Sequence, residues 1–292
     1  MMELGVTAVM LPELDFDEQI ALLQKLKVKY YQYRPRIIPE SERGKPFGNP
    51  WGNHKFDLTP QRLVKEGAQL TRKLRDAGLE PWGTVSACGT ANPDDELKLH
   101  LDGAAAADAK CPRFTPPPQP GGDKVFDYQD YLKRAEDRIG EIIAKHSAPR
   151  GLRLIIETHC GSMATSPGVA YNLCKPHSPR HIGVIFDIAN FAYEGEVRPT
   201  LAVSVLRDYI DCCHIGGSRR AEAGVDEFGC RKLKSSFCPL EQSDLHIPSW
   251  VAALKRANIS PPLIIEDFES GLTGAARLTR SAGLLHKILK CM

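Results

Sequence analysis

No apolar run in the 292 residues approaches the roughly 18 that a membrane span requires, so no membrane-spanning helix and no membrane partner are expected. The nine cysteines contain no CxxC pair, and their odd number lacks any framework spacing. They read as reduced thiols rather than as a disulfide scaffold. No basic block resembles a nucleic-acid arm: 38 basic and 36 acidic residues are interspersed and leave a net charge of +2. That balance does not favour a polyanionic partner, and no nucleic acid is expected. The start, Met1-Met2-Glu3-Leu4-Gly5, has neither a basic segment nor an apolar core of the kind an export signal needs, so the expected location is cytoplasmic. The first apolar run is followed by Leu11-Pro12-Glu13 and not by a glycine-rich phosphate-binding turn, which weakens a dinucleotide-binding assignment.

What is present is an alternation. Short apolar runs at 4–10, 30–34, 81–87, 111–115, 153–158, 183–187, 211–215 and 263–266 are separated by longer segments of helical period. Several runs are nearly continuous in Val, Ile and Leu, as expected of parallel strands covered on both faces. The fourth, Cys-Pro-Arg-Phe-Thr, is weak, and the alternation alone calls for a strand there. Between the runs, Leu63, Gly67, Leu70 and Leu74, then Leu132, Ala135, Ile139 and Ile142, then Ala275, Leu278, Ala282, Leu285 and Leu289 recur at steps of three and four. Thr59-Pro60, Asn92-Pro93 and Ser166-Pro167 each place a capping residue before a proline at the first helical position. Gly78 is a plausible helix stop. Eight strand–helix units imply a parallel sheet, and their number and the chain length favour closure into a single-domain (β/α)8 TIM barrel over residues 1–292. Three long connections, 35–55, 116–124 and 216–247, all follow strands, where the loops of a barrel build its catalytic face.

The chemistry is expected where apolar strands end in one metal-competent side chain. Leu154-Ile155-Ile156 ends in Glu157, Gly183-Val184-Ile185-Phe186 in Asp187, Ile210-Asp211-Cys212-Cys213 in His214, and Leu263-Ile264-Ile265 in Glu266. On consecutive barrel strands these four ends share one rim. Any one of them alone reads more readily as a helix cap or an ion-pair partner; four in succession do not. Three carboxylates crowded together repel, and at least one of their pKa values must rise unless a cation is bound. A divalent ion reduces the formal ligand charge of −3 to −1, and three oxygens with one imidazole suit Mn2+ or Mg2+, with Co2+, Fe2+ or Zn2+ also admitted.

The order Glu…Asp…His…Glu on the last four strands resembles the sugar isomerase/epimerase superfamily of xylose-isomerase-like barrels, which includes ketose 3-epimerases, hydroxypyruvate isomerases and inosose dehydratases. The resemblance implies that Glu157, Asp187, His214 and Glu266 are the ligands of one divalent metal. It also implies that Glu157 and Glu266 move a proton on either face of a bound ketose. Two departures stand out: Asn190 where many members carry a histidine, and Gly216-Gly217-Ser218 where many carry an acid. They shift the expectation from plain epimerase to isomerase or epimerase, with a lyase or dehydratase acting on a keto-sugar or 3-keto-glycoside as the alternative. An abasic-site endonuclease or a non-catalytic sugar-binding barrel ranks below both.

His159, two residues after Glu157, points the same way on an extended backbone and could serve as a general base or simply hydrogen-bond a loop. Arg219, with Arg220, could clamp substrate or lie solvated. Asn190, Trp51, His54, Arg34 and His246 complete the expected substrate contacts. The partner expected from all this is a small sugar-like molecule, and a homo-oligomer is admitted.

Overall fold

The computed structural model describes residues 2–120, 125–195 and 197–292. Eight parallel strands form the central sheet: β1 (Leu4–Thr7), β2 (Tyr30–Tyr33), β3 (Glu80–Thr84), β4 (Cys111–Pro112), β5 (Leu154–Glu157), β6 (Ile182–Asp187), β7 (Ile210–Ile215) and, last in sequence, β10 (Leu263–Ile265). A separate antiparallel hairpin, β8 (Ser218–Val225) and β9 (Arg231–Phe237), rises between β7 and β10. The sheet order is β4-β3-β2-β1-β10-β7-β6-β5. Its two ends meet through a parallel bridge between Arg113 and Ile155, where Phe114 donates its amide to the Ile155 carbonyl at 2.7 Å, so the barrel is nearly closed. This last seam is thin for a local reason: Pro112 has no N–H to give to a ladder, so β4 spans two residues.

Helices α1 (Phe16–Leu26), α2 (Pro60–Asp76), α3 (Asp94–Ala106), α4 (Tyr128–Ile142), α5 (Pro167–Cys174), α6 (Phe191–Glu194), α7 (Pro199–Leu206), α8 (Ile247–Arg256) and α9 (Gly274–Cys291) fill the crossovers. The helical periods of α2 and α4 point inward as expected, and on α9 Leu278, Ala282 and Leu285 are buried while Ala275 and Leu289 are half-buried. Leu63, Gly67, Leu70 and Leu74 are buried on α2, as are Leu132, Ala135, Ile139 and Ile142 on α4. Thr59 and Ser166 cap α2 and α5. Asn92 does not cap α3: the cap is Pro93, and the Asn92 side chain accepts from the Gly89 amide at 2.7 Å. Asp94, Asp95 and Glu96 in the first turn of α3 favour its positive end instead.

Two further sequence expectations are altered. The run 4–10 is a strand only to Thr7, whose hydroxyl accepts from the Val9 amide and turns Ala8–Met10 into a short 3-10 helix. The connection 216–247 is not irregular but carries the β8–β9 hairpin. Of the connection 116–124, residues 121–124 lie outside the described residues.

Strand alternation divides the core. Cys111, Ile155, Ile185, Cys212 and Ile264 cluster together inside the barrel, with Tyr30 and Trp82 packed against them. Their neighbours Leu154, Ile156, Val184, Phe186, Cys213, Leu263 and Ile265 join the larger cluster under the helices. Adjacent Cys212 and Cys213 thus face opposite sides. Among the described residues, no helix is long and apolar enough to cross a membrane.

Candidate metal centre

The inner apolar layer positions the site. Ile155, Ile185, Cys212 and Ile264 each precede by two residues Glu157, Asp187, His214 and Glu266. With a strand period of two, the four polar side chains emerge one step higher on the same inner face. Register locks them side by side: Asp187 pairs with His214 across β6 and β7, and His214 with Ile264 across β7 and β10. One donor atom from each of the four lies within 4.8 Å of the other three. Glu157, Asp187 and His214 are buried, at 5%, 2% and 0% exposure, so water screens their mutual charges little.

The electrostatics are those of a cation site. Burial, then the charges of Glu157 and Glu266, push the Asp187 carboxyl well above its ordinary range. Burial opposes ionisation of Glu157 too, but the Arg113 guanidinium at 2.6 Å and the His214 ring hold its carboxyl well below the usual carboxylate range. Burial disfavours a charged His214, yet Glu266 and Glu157 outweigh it and raise its pKa to about 10. Nδ1–H of His214 donates to Glu266 Oε2 at 2.8 Å and faces Glu157 Oε1 at 3.2 Å, while Nε2–H donates to Gln32 Oε1 at 3.0 Å. The ring's Nδ1 proton therefore occupies the place where the donor set converges. Three acids and one imidazole at this spacing fit a divalent cation, and protonation of His214 and Asp187 is the substitute the protein has without one.

Above this cluster lies a cavity of about 270 Å3. Glu157, Asp187, Glu266, His159, Asn190 and Arg113 form its polar side. Trp51, Phe237 and Phe268 form an aromatic wall, with ring centroids 4.6 Å apart for Trp51–Phe268 and 5.5 Å for Phe237–Phe268. These rings come from the loops after β2, β7 and β10. Asn190 also braces Asp187: its amide N–H donates to Asp187 Oδ1 at 3.1 Å and its side-chain NH2 to Oδ2. His159 Nδ1 accepts from the Gly161 amide at 3.0 Å, so the neutral ring carries its proton on Nε2. The Gly161 contact is the loop hydrogen bond expected as the alternative to a general base, and this tautomer makes Nε2 a donor.

Four other expected contacts do not line this cavity. Arg34 donates to the carbonyls of Trp51 and Gly52, both at 3.3 Å, and so steadies the loop that carries Trp51. His54 is buried and lies 2.9 Å from the Pro50 carbonyl; burial and then Arg34 lower its pKa to about 4, leaving it a neutral loop brace. Arg219 is exposed on β8 beside Gln242. His246 is exposed at the start of α8, bonded to Ser249 in a different surface groove. The chain after His214 runs into the hairpin, with Arg219 on β8, and reaches His246 only beyond it, at the N-cap of α8. Gly216 and Gly217 permit that path: a Cβ on Gly216 would lie 2.5 Å from the Glu266 carbonyl oxygen, and one on Gly217 would run into the Cys238 carbonyl.

Gln32, Arg113, Phe237 and Phe268 join the site beyond the expected residues. Gln32 and Arg113 did carry a sequence signal, as the lone polar side chains in Tyr-Tyr-Gln-Tyr and Cys-Pro-Arg-Phe. The two phenylalanines carried none, since only the folded loops bring them together.

No curated protein matches the chain. Among solved structures, it is similar to the IolI protein with a bound zinc atom (15% identity, TM-score 0.70, 99% of each chain covered). It is similar to an L-ribulose 3-epimerase (11% identity, TM-score 0.68, covering 100% of this chain and 95% of that one). It is also similar to the probable 3-DHS dehydratase AsbF from Bacillus anthracis (12% identity, TM-score 0.67, covering 98% of this chain and 99% of that one). Such identities establish a shared fold alone. The family model of xylose isomerase-like TIM barrels matches residues 43–288, a span that takes in all four converging donors, and the chain belongs to that family.

Proposed function

We propose that this chain is a divalent-metal-dependent isomerase or epimerase that transfers a proton next to the carbonyl of a small sugar-like hydroxy-ketone. The convergence of Glu157, Asp187, His214 and Glu266 on one point beneath a cavity carries this reading. Those four residues would hold the ion, Mn2+ or Mg2+ by the preponderance of oxygen donors, with Zn2+ supported by the zinc of the IolI neighbour. A bound divalent ion would supply Lewis-acid polarisation of the carbonyl, making the adjacent C–H more acidic.

The remaining work falls to the protein. Arg113 and His214 keep Glu157 ionised and thereby weaken it as a base. Glu266 has no guanidinium beside it among the described residues, so we assign the first proton removal to Glu266 and the return step to Glu157. Asn190 holds the Asp187 carboxylate in a single orientation. Trp51, Phe237 and Phe268 offer π faces to substrate C–H groups and exclude water from one side of the cavity. At about 270 Å3 the cavity is smaller than those that take drug-sized ligands, which suits one monosaccharide-sized molecule.

One observation favours a second reading, elimination from a keto-sugar. Gly161 fixes His159 with its proton on Nε2, so this ring can donate to a departing oxygen at the cavity wall. Incubation of the Mn2+-supplemented protein with ketoses in deuterated water separates the two. Deuterium at an epimerised or isomerised carbon supports proton transfer, and an unsaturated product supports elimination. Purified protein without stoichiometric metal, whose melting is unchanged by a chelator, would sink both.

A further inference from the structure

We infer that Gln32 is a positioning residue that dictates which nitrogen of His214 faces the metal, an inference resting on the metal-site reading above. Gln32 is fully buried on β2 between Tyr31 and Tyr33, which face outward into the core under the helices. Alternation turns Gln32 to the barrel interior, and the β2–β3 register shifts between Tyr31 and Gln32, an irregularity of the kind that re-aims a side chain. In the sheet order, β1 and β10 separate β2 from β7, yet the Gln32 amide spans the interior to reach two positions of β7. Its Oε1 accepts from His214 Nε2–H at 3.0 Å, and its Nε2 donates to Cys212 Sγ at 3.8 Å.

A buried amide is costly unless both its ends are bonded, so its placement beside an apolar layer calls for a reason. The reason lies in the ambivalence of the two groups. An imidazole that ligates through Nδ1 must keep its proton on Nε2, and that needs an acceptor there. The same amide turned over would offer its NH2 to Nε2 and drive the proton to Nδ1, removing the lone pair from the point where Glu157, Asp187 and Glu266 converge. Cys212 selects between the two orientations. Sulfur accepts an N–H but donates weakly to a carbonyl. The NH2 therefore goes to sulfur, the carbonyl oxygen to His214, and Nδ1 to the donor cluster. Since Cys212 and His214 are two residues apart on one strand face, a single side chain reads both.

Calorimetric titration of the full chain with Mn2+ tests this. Gln32→Leu and the similarly long Gln32→Met should each raise Kd about 10–100-fold. Gln32→Glu, which keeps an acceptor at the same reach, should restore most of the affinity. A residue that only packs the interior would shift melting of the metal-free protein in all three without this pattern. Independently of any variant, 15N spectra of the imidazoles in Zn2+-loaded wild type should show the His214 proton on Nε2 and none on Nδ1. Wild-type affinity in Gln32→Leu, or a His214 proton on Nδ1 in the loaded protein, overturns the inference. If wild type binds no metal, the site reading falls instead. Spectra of the metal-free chain then decide Gln32 alone: a protected Nε2 proton supports the clamp, and one exchanging freely with water overturns it.

Discussion

The two halves of the barrel divide the work unequally. The strands β5, β6, β7 and β10 supply all four converging donors, each placed one strand period above an apolar inner residue. Besides Asn190, Phe237 and Phe268 of that half, β1 to β4 and their loops supply groups that hold and cover those donors: Gln32 beneath His214, Arg113 against Glu157, and Val9, Trp51 and Val85 along the cavity. The donor half is built by repetition of one local rule. The supporting half has no common rule, since each of its residues answers to a partner on a distant strand. A barrel allows this because closure makes its first and last strands neighbours.

That division can be broken most directly at the donors. Asp187→Asn should abolish Mn2+ binding and cost several kcal/mol of transition-state stabilisation, roughly three orders of magnitude in kcat, measured by titration and by turnover of whichever ketose proves active. The metal-free variant should melt no lower than wild type, because the replaced carboxylate is one whose burial and neighbours oppose its charge. In the metal-free wild type, the folded-state pKa of His214, about 10, lies above its unfolded value, and that of Asp187 is raised too. Both contributions to stability fade as pH rises, that of His214 between about 6.5 and 10. Melting temperature should therefore fall over that window without metal and hold when Mn2+ is bound; a flat metal-free profile contradicts the assigned charges.

The supporting half should give graded losses. Arg113→Leu leaves Glu157 buried without its guanidinium and should weaken Mn2+ binding about 10–100-fold, with Arg113→Lys recovering part of it. Trp51→Ala should raise KM about tenfold while leaving Mn2+ affinity and kcat nearly unchanged, since the ring meets substrate and not metal. An equal loss of metal binding would move Trp51 to the donor side of the comparison. The smallest effects belong to Arg219→Ala and His246→Ala, exposed residues outside the cavity, whose stability changes should stay within about 0.5 kcal/mol and whose turnover should match wild type.

Legibility in the sequence followed the same line. The eight runs, the helical periods on α2 and α4 and the four strand-ending donors depend on neighbours two to four positions away, and such patterns survive in one dimension. Asn190 and Trp51 were also within reach, the first because it lies three residues beyond a donor. Arg34, His54, Arg219 and His246 share one pattern in the sequence, polar residues at strand ends or in the loops that follow them. Arg219 is exposed on β8 outside the cavity, and Arg34 and His54 are bonded to loop carbonyls as braces.

By itself the sequence determined the alternation, and with it the barrel and the ring of acids and imidazole at its rim, because strand period and burial act locally. Only the tertiary structure decided which atoms of those residues meet. The choice of Nδ1 over Nε2 in His214, the pairing of Arg113 with Glu157 and the aromatic wall of Trp51, Phe237 and Phe268 all join segments far apart in the chain. Their energies depend on distances and burial that exist only once the sheet has closed.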